Sequence, residues 1–468
     1  MSSFSLGDFK SNLVNIYDLR YKEIKCNEEL ITLVYLESLN NQELMSEFII
    51  VPLTNYEDEI KNSEQMIKEV IQITSTTLVD GLEEAINLVL SGEVLIFFKS
   101  FDDVISCDVK GYNVRGIEIA ASESVIKGPR EGFVESLPVN ISAIRRRLVT
   151  QDLKIEKFLL GTKSKTSVAL FYLERSTPVE LVSYVREKIE SLNNLDFVFH
   201  SNLLEEKLKS KNTPFDTIGY TEKPDIAATK IAEGKVVVIL DGSPFAISAP
   251  YFFVENFMSA DDYTLNKYMA NIGRVLRFLA FLLATLLPGL YIALVTHHFR
   301  LIPSIFLFKM AATRSGVPVP TVIEMLFMIF LFQIIREAAV RLPQPLGSTL
   351  SIVGALILGD AAVRSGIASQ VTVLVVGITS ICSYLIPKIY IAVFTWNVIL
   401  IFFSATLGLP GFYTGFVIFV AHLANLSSCG YPFLYPLGTR ETFKFKDITY
   451  RGDLTDITRN MLVEDDKQ

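Results

Sequence analysis

IYIAVFTWNVILIFFSATL, residues 389–407, is the stretch whose reading decides the fold. It contains no Asp, Glu, Lys or Arg, and that depletion continues to Pro436. About twenty apolar residues cross bilayer hydrocarbon, where one charge at a helix centre costs about 2.5 to 3.5 kcal/mol. The run therefore reads as a membrane span. Working outward, only twelve charged residues lie between Gly273 and Pro436: Arg274, Arg277, Arg300, Lys309, Arg314, Glu324, Arg336, Glu337, Arg341, Asp360, Arg364 and Lys388. Further spans are expected at 278–295, with a kink at Pro288, and at 322–340, 350–363, 371–386 and 412–427, giving five or six crossings. Residues 301–310 are too few to cross and are expected at the interface or as a re-entrant piece.

The 468-residue chain has a formal net charge of -8. The apolar block carries nine basic and three acidic residues, so the remainder carries -14. An acidic soluble part argues against nucleic acid, whose phosphates need a basic surface. The first residues lack the charged and apolar regions of a signal peptide, which places the N-terminal part on the cytoplasmic side, and Arg274 and Arg277 before the first span support that orientation. Cys26, Cys107, Cys382 and Cys429 form no CxxC pair and read as reduced packing residues.

Before the apolar block the pattern is α/β. Residues 30–36 read as a strand and 41–48 as a short helix. Leu82, Ala85, Ile86, Val89 and Leu90 recur at helical spacing, then Gly92 stops the helix before strands at 94–98 and 104–109. The same plan recurs near residue 230: setting Gly92 on Gly234 also matches Ala85 with Ala227, Val94 with Val236, Ile105 with Ile247 and Ser106 with Ser248. Five matches indicate either a duplication or a common way of covering a sheet. Between the copies, 167–173 alternates like a strand, 177–192 reads as an amphipathic helix capped by Thr177 with Pro178 in its first position, and 203–208 as a further helix. The expected architecture is an α/β soluble N-terminal region of two subdomains, 1–140 and 141–273, followed by a polytopic α-helical membrane domain, 274–436, and a soluble tail, 437–468.

Two sets of residues attract a functional reading. At 100° per residue Gln333, Arg336, Glu337 and Arg341 share an arc of roughly 140° on one helix, with Glu324 about opposite Gln333. Asp360 and Arg364 repeat the i,i+4 spacing of Glu337 and Arg341 among small residues that let helices approach. Charges retained at membrane depth mark either an ion path or gate, or ion pairs that hold the bundle together. The second set is Lys127, Gly128, Pro129, Arg130, Glu131 and Gly132 with Arg145, Arg146 and Arg147, a glycine-flanked charged loop beside an arginine run, read as a contact between subdomains or subunits. No Walker loop, dinucleotide fingerprint, HExxH or GxSxG occurs, so neither an enzyme nor a cofactor or metal site is expected.

The stretch VIKGPREGFVE at 125–135, Asn140 and IRRRL at 144–148 resemble the signature of the A subunit of GerA-type spore germination receptors. The resemblance continues through DGSPF at 241–245, Asp261-Asp-Tyr, Arg274, Arg277, LPGLY at 287–291, RSGVP at 314–318, Glu324, REAAVRLP at 336–343 and IVGALILGDAAV at 352–363. Gln333, Asp360 and Trp396-Asn397 depart from that pattern. What the resemblance implies is a nutrient-receptor subunit in the inner membrane of the bacterial endospore. It would act with a permease-like B subunit that binds the germinant and with a lipoprotein C subunit. It would form a homo-oligomer in membrane lipid around a pore for monovalent cations. The competing readings are a secondary transporter and a non-conducting scaffold of the receptor.

Overall fold

The computed structural model describes residues 4–14, 16–27, 29–58, 62–99, 102–111, 123, 125–209, 212–341, 354, 357–437, 447–448 and 450–453. Its N-terminal half holds two five-stranded antiparallel sheets. The first contains β1 (Leu19–Cys26), β2 (Glu29–Leu36), β3 (Thr76–Leu78), β4 (Val94–Phe97) and β5 (Val104–Cys107), in the order β1-β2-β4-β5-β3. The second contains β6 (Leu153–Leu160), β7 (Thr166–Leu173), β8 (Gly219–Thr221), β9 (Val236–Leu240) and β10 (Ala246–Ala249), in the order β6-β7-β9-β10-β8.

The two orders are the same, and so are the registers. Val94 pairs with Cys107 as Val236 pairs with Ala249, and Leu33 pairs with Ile96 as Leu170 pairs with Val238. Gly92 and Gly234 both take positive φ, 91° and 86°, where a Cβ is strained, so each ends its helix and turns the chain into the sheet. The repeat glimpsed in five residues therefore extends to all ten strands.

The inner strands are continuous apolar runs whose successive side chains point to opposite faces, so each sheet buries both faces. In the first, Ile31 and Leu33 face helical stretches at 42–54 and 63–70, while Val34 and Leu36 face α1 (Leu6–Asn12) and α2 (Leu82–Leu90). Asn41 starts the 42–54 stretch by accepting from the backbone N–H groups of Glu43 and Leu44. In the second sheet Val168 and Leu170 face α4 (Val179–Glu190) and α5 (Ser201–Leu208), while Ala169 and Phe171 face α3 (Leu137–Arg145) and α6 (Pro224–Ala232).

Three sequence expectations shift. The expected 140/141 boundary falls inside α3, whose apolar residues pack on the second sheet. Thr177 does not cap α4: Pro178 takes that position, and Thr177 Oγ1 accepts from the Leu173 N–H instead. Strands β1 and β6 went unread because LRYKEIKC and LKIEKFLL interleave charges with apolar residues.

After β10 the chain passes through a 3-10 turn at Phe253–Phe257 and α7 (Asp261–Thr264) into α8 (Lys267–Thr296). There follow α9 (Ser304–Arg314), α10 (Thr321–Arg341), a helical stretch at 357–364, α11 (Gln370–Tyr384), α12 (Tyr390–Leu407) and α13 (Leu409–Ala424). Among the described residues two helical segments, Lys267–Thr296 and Pro387–Leu407, are long and apolar enough to cross a membrane; Gln370–Tyr384 and Leu409–Ala424 are apolar but shorter. No residue of α9 is buried. Of the span expected at 350–363, residues 350–353, 355 and 356 lie outside the described residues.

Helix α8 does not break at Pro288. Proline has no N–H for the carbonyl four residues back, that of Ala284, and Asn397 of α12 supplies the missing donor from Nδ2 at 2.9 Å. Beside it Gly289 lets the helices close up, since a Cβ there would lie 3.2 Å from Leu400 Cβ. An aromatic cluster of Phe215, Phe253, Phe257, Phe281, Trp396 and Phe433 joins the second sheet unit to α8, α12 and α13.

Candidate functional site

The residues singled out from sequence divide into three places. The first is the joint between the two sheet units. Arg145, 1% exposed, directs Nη2 to Asp18 Oδ1 at 2.8 Å and Nε to Asp18 Oδ2 at 3.2 Å, across 127 residues of chain. Asp18 also accepts from Ser38 Oγ, and Lys154 Nζ donates to the Val14 carbonyl at 2.7 Å beside it. A bidentate guanidinium–carboxylate pair fixes orientation as well as distance. Arg146 and Arg147 turn the other way, to Glu131 Oε1 at 2.6 Å and Oε2 at 2.5 Å. Burial pushes the Glu131 carboxyl up, but the two arginines outweigh it and hold the group below the ordinary range.

The rest of that loop lies elsewhere. Lys127, Gly128, Pro129 and Arg130 are exposed, and Gly132 is half-buried. Gly128, with φ of +136°, passes so close to α7 that a Cβ would come within 3.0 Å of Thr264 Cγ2, and the Ile126 N–H donates to Asp261 Oδ1 at 2.9 Å. The structure thus places the loop between the arginine run and the entry to the helical region, with Glu131 as the tie.

The second place is that entry, where sequence reading named Arg274 and Arg277 as motif residues and gave them no partners. Arg274 is 1% exposed and binds Asp262 Oδ2 at 2.9 Å and also Asp447; Arg277 binds the other oxygen of Asp262. Tyr263 donates to Asp447 Oδ2 at 2.6 Å, and Arg451 donates to the carbonyls of Asp262 and Leu265. The described residues of the segment 437–468, read from sequence as a soluble tail, fold back on the start of α8, with Asp447 and Arg451 buried. Here Asp447 is neutralised by Arg274, and Arg451 is held by backbone carbonyls.

The third place is the helical region itself, which separates the expected polar stripe. Glu324 is buried, and Oε1 accepts from the Ser369 N–H at the start of α11 at 2.5 Å, where a helix N-terminus favours a carboxylate. Arg336 turns inward, donating to Ser383 Oγ at 2.8 Å with its guanidinium 3.3 Å from the Tyr390 ring centroid and 4.8 Å from that of Tyr384. With Gln333 and Asn397 it lines a cleft of about 50 Å³ between α10, α11 and α12, room for a few water molecules. Glu337 and Arg341 point outward and pair with each other at 2.6 Å, and Asp360 and Arg364 do the same at 2.8 Å, all four largely exposed. Chemically, the inward cleft presents a fixed cation, while the carboxylates Glu337 and Asp360 stand on the outer surface.

Sequence reading missed one more group, the buried cluster under the second sheet. Glu255 accepts from Lys235 at 2.9 Å and from Lys230, and also from the Phe252 N–H at 2.8 Å. Burial alone would raise its pKa; the two lysines more than offset this and hold it at about 2. Its local signal was faint, a single Glu among aromatics at 251–257. Among the described residues no cluster of three or more His, Cys, Asp or Glu is arranged to hold a metal ion.

The family described as Bacillus/Clostridium GerA spore germination protein matches residues 8–461. Spore germination protein KA of Bacillus subtilis (strain 168) is 32% identical over 456 residues, covering 96% of this chain and 84% of that protein. Uncharacterized membrane protein YfkQ of the same organism is 33% identical, covering 91% and 84%. Spore germination protein GerQA of Bacillus cereus is 30% identical, covering 99% and 93%. Among solved structures, the crystal structure of the N-terminal domain of the A subunit of the Bacillus megaterium spore germinant receptor GerK3 aligns with a TM-score of 0.40 and 24% identity, covering 53% of this chain and 94% of that one. With a match over nearly its whole length and relatives of about 30% identity along almost all of it, this chain belongs to the GerA family of spore germination proteins.

Proposed function

We propose that the protein is a membrane subunit of a nutrient germinant receptor that triggers spore germination, and that it contributes to an oligomeric, ligand-gated cation channel. Relatives named as spore germination proteins support the germination role, and two apolar helices of spanning length support the membrane setting. In this reading the helical region crosses the inner membrane of the endospore and the sheet units lie on its cytoplasmic, core-facing side. A permease-like B subunit binds the germinant and a lipoprotein C subunit completes the receptor.

The observation that carries the conduction reading is the outward placement of the two carboxylate-bearing pairs. Glu337–Arg341 and Asp360–Arg364 are exposed on helices whose other outward residues, such as Ile323, Phe330 and Ile357, are apolar. Charged groups at membrane depth face water or protein rather than lipid. None of the described residues covers these pairs. The inward cleft carries Arg336 and repels cations, so a cation path belongs between copies of the chain, where rings of Asp360 or Glu337 would attract them.

The test is reconstitution of the full chain in liposomes, with and without its partner subunits, recording potassium flux together with oligomeric mass. Germinant-dependent flux from an oligomer, reduced by Asp360→Asn, is the expected result. Assembly without flux under every partner condition overturns the conduction reading and leaves a scaffold. Saturable substrate uptake by this subunit alone overturns it in favour of a transporter.

A further inference from the structure

The cleft between α10, α11 and α12 lies at the end of the helical region that faces the sheet units. Arg336 stands near the end of α10, Ser383 and Tyr384 close α11, and Tyr390 opens α12. The turn between α11 and α12 carries Lys388, which pairs with Glu123 at 3.3 Å and borders Tyr220 of β8. The cleft opens on the outer surface of the bundle. Tyr384 at its rim is exposed, and so are the neighbouring apolar residues Ile381, Leu385 and Ile391. Arginine and tyrosine at a helix end are what the boundary between hydrocarbon and water selects.

Among the described residues that line the cleft, Arg336 alone is charged. Its Nη1 donates to Ser383 Oγ, and the rings of Tyr390 and Tyr384 fix the guanidinium in place. The guanidinium carries five N–H donors in a rigid fork. Nε and Nη2 have no partner among the described residues and, unlike Nε of Arg314 and Arg451, neither is closed off by packing. No described carboxylate pairs with Arg336, since Glu337, next in sequence, is held by Arg341 on the outer surface. A half-buried cation against apolar walls favours an anion, and the edge of a guanidinium fits a phosphate through two parallel hydrogen bonds. The cleft of about 50 Å³ takes about four water-sized groups, comparable with the oxygens of one phosphate.

We propose that this cleft holds the phosphate of an anionic phospholipid from the sheet-facing leaflet, with Arg336 Nε and Nη2 donating to two phosphate oxygens. The acyl chains lie along the exposed apolar stripe of α11 formed by Ile381, Ile378 and Leu374, at i, i+4 and i+7 spacing. Charge selects the headgroup. One guanidinium balances one phosphodiester, whereas the ammonium of a zwitterionic lipid meets no acidic residue in the lining, so a singly negative lipid such as phosphatidylglycerol fits. Basic pockets between membrane helices on the cytoplasmic side take anionic headgroups in the same way. The inference rests on the membrane setting proposed above and stands whether or not the chain conducts ions.

Dihexanoyl-phosphatidylglycerol is titrated into the purified, lipid-depleted full chain in detergent, beside phosphatidylcholine and phosphatidylethanolamine of the same chain length and inorganic phosphate, and bound copies are counted by native mass spectrometry. One phosphatidylglycerol per protomer is expected, with the zwitterionic lipids at least about tenfold weaker and inorganic phosphate, which lacks the apolar contact, not retained. Arg336→Gln is expected to weaken phosphatidylglycerol at least about tenfold and to leave phosphatidylcholine unchanged. Arg336→Lys keeps the charge without the fork and is expected to fall between the two. Both variants are first checked for an unchanged unfolding transition; where Arg336→Gln does not fold, the lipid preference of the native chain and of Arg336→Lys decides. A native chain without preference for phosphatidylglycerol overturns the proposal, as does a preference that survives in folded Arg336→Gln. Equal retention of inorganic phosphate overturns it in favour of a free anion, and an oligomer that retains no lipid and dissociates on Arg336→Gln overturns it in favour of a carboxylate from a second copy. Flotation with phosphatidylcholine liposomes separates the two readings: a chain that does not float loses the membrane setting and this site with it, while one that floats without the lipid preference loses this site alone.

Discussion

The contact between Pro288 and Asn397 yields a prediction whose size follows from the geometry. In α8 the Ala284 carbonyl has lost its helical donor to Pro288, and Asn397 Nδ2 replaces it at 2.9 Å from a residue 3% exposed. Replacing Asn397 with leucine, similar in volume, strands that carbonyl inside the bundle. A buried acceptor left without a donor costs about 1–3 kcal/mol. Two facts pull the value down: polar couplings in membrane bundles average about 0.6 and reach about 1.7 kcal/mol, and Asn397 Oδ1 is itself unpaired, so its removal relieves something. The expected cost of Asn397→Leu is therefore about 1–1.5 kcal/mol. Pro288→Ala restores an N–H to the helix, and in that background the Ala284 carbonyl no longer needs Asn397. The same leucine substitution is then expected to cost close to nothing, a coupling of about 1 kcal/mol. The assay is reversible unfolding of the full chain in mixed micelles for all four members of the double-mutant cycle, in which loss of the Pro288 ring cancels. Equal costs in the two backgrounds, with coupling below about 0.5 kcal/mol, would refute the claim that Asn397 acts as the missing donor.

Two further predictions concern the soluble half. Because Glu255 is held at about 2 rather than near 4.5, its ionised form stabilises the fold at neutral pH, and that contribution, about 3 kcal/mol, is lost as pH falls from the ordinary carboxylate range towards 2. Glu255→Gln leaves Lys230 and Lys235 without their shared carboxylate, so it is expected to destabilise strongly at pH 7 and to flatten the acid limb of the stability profile; an unchanged limb in denaturant titrations from pH 7 to 3 would show that the cluster does not act this way. At the joint between the sheet units, Arg145→Ala strands Asp18 and is expected to cost about 3–5 kcal/mol, while Arg145→Met combined with Asp18→Leu recovers most of the loss. A cost below about 1 kcal/mol for Arg145→Ala, read by the same unfolding assay, would mean the pair does not hold the two units together.

Much of the architecture was legible because its signals are local. Gly92 and Gly234 end helices whose apolar spacing is plain, and Val94 and Val236 begin strands whose partners follow within a hairpin. Strands β1 and β6 were illegible for the opposite reason. Lys22 and Glu23, or Lys154 and Glu156, interrupt the alternation, and only the neighbouring strand shows which face they take. The candidate site residues were found as types, without the partners each takes. Arg336, Glu337 and Arg341 share an arc on an ideal helix, yet Tyr390 and Ser383 draw Arg336 inward while Glu337 and Arg341 pair outside.

Sequence by itself determined the division of the chain into an acidic α/β half and a charge-depleted helical half, the repeated helix-glycine-hairpin plan, and the family. These rest on composition, periodicity and motif order, which are properties of neighbouring residues. Only the tertiary structure decided that Arg145 meets Asp18, that the tail residue Asp447 returns to Arg274, and that Asn397 completes the helix at Ala284. All three contacts join groups more than a hundred positions apart. A charge or an amide states its need for a partner in sequence, but which partner it finds is settled by the packing that brings distant elements together.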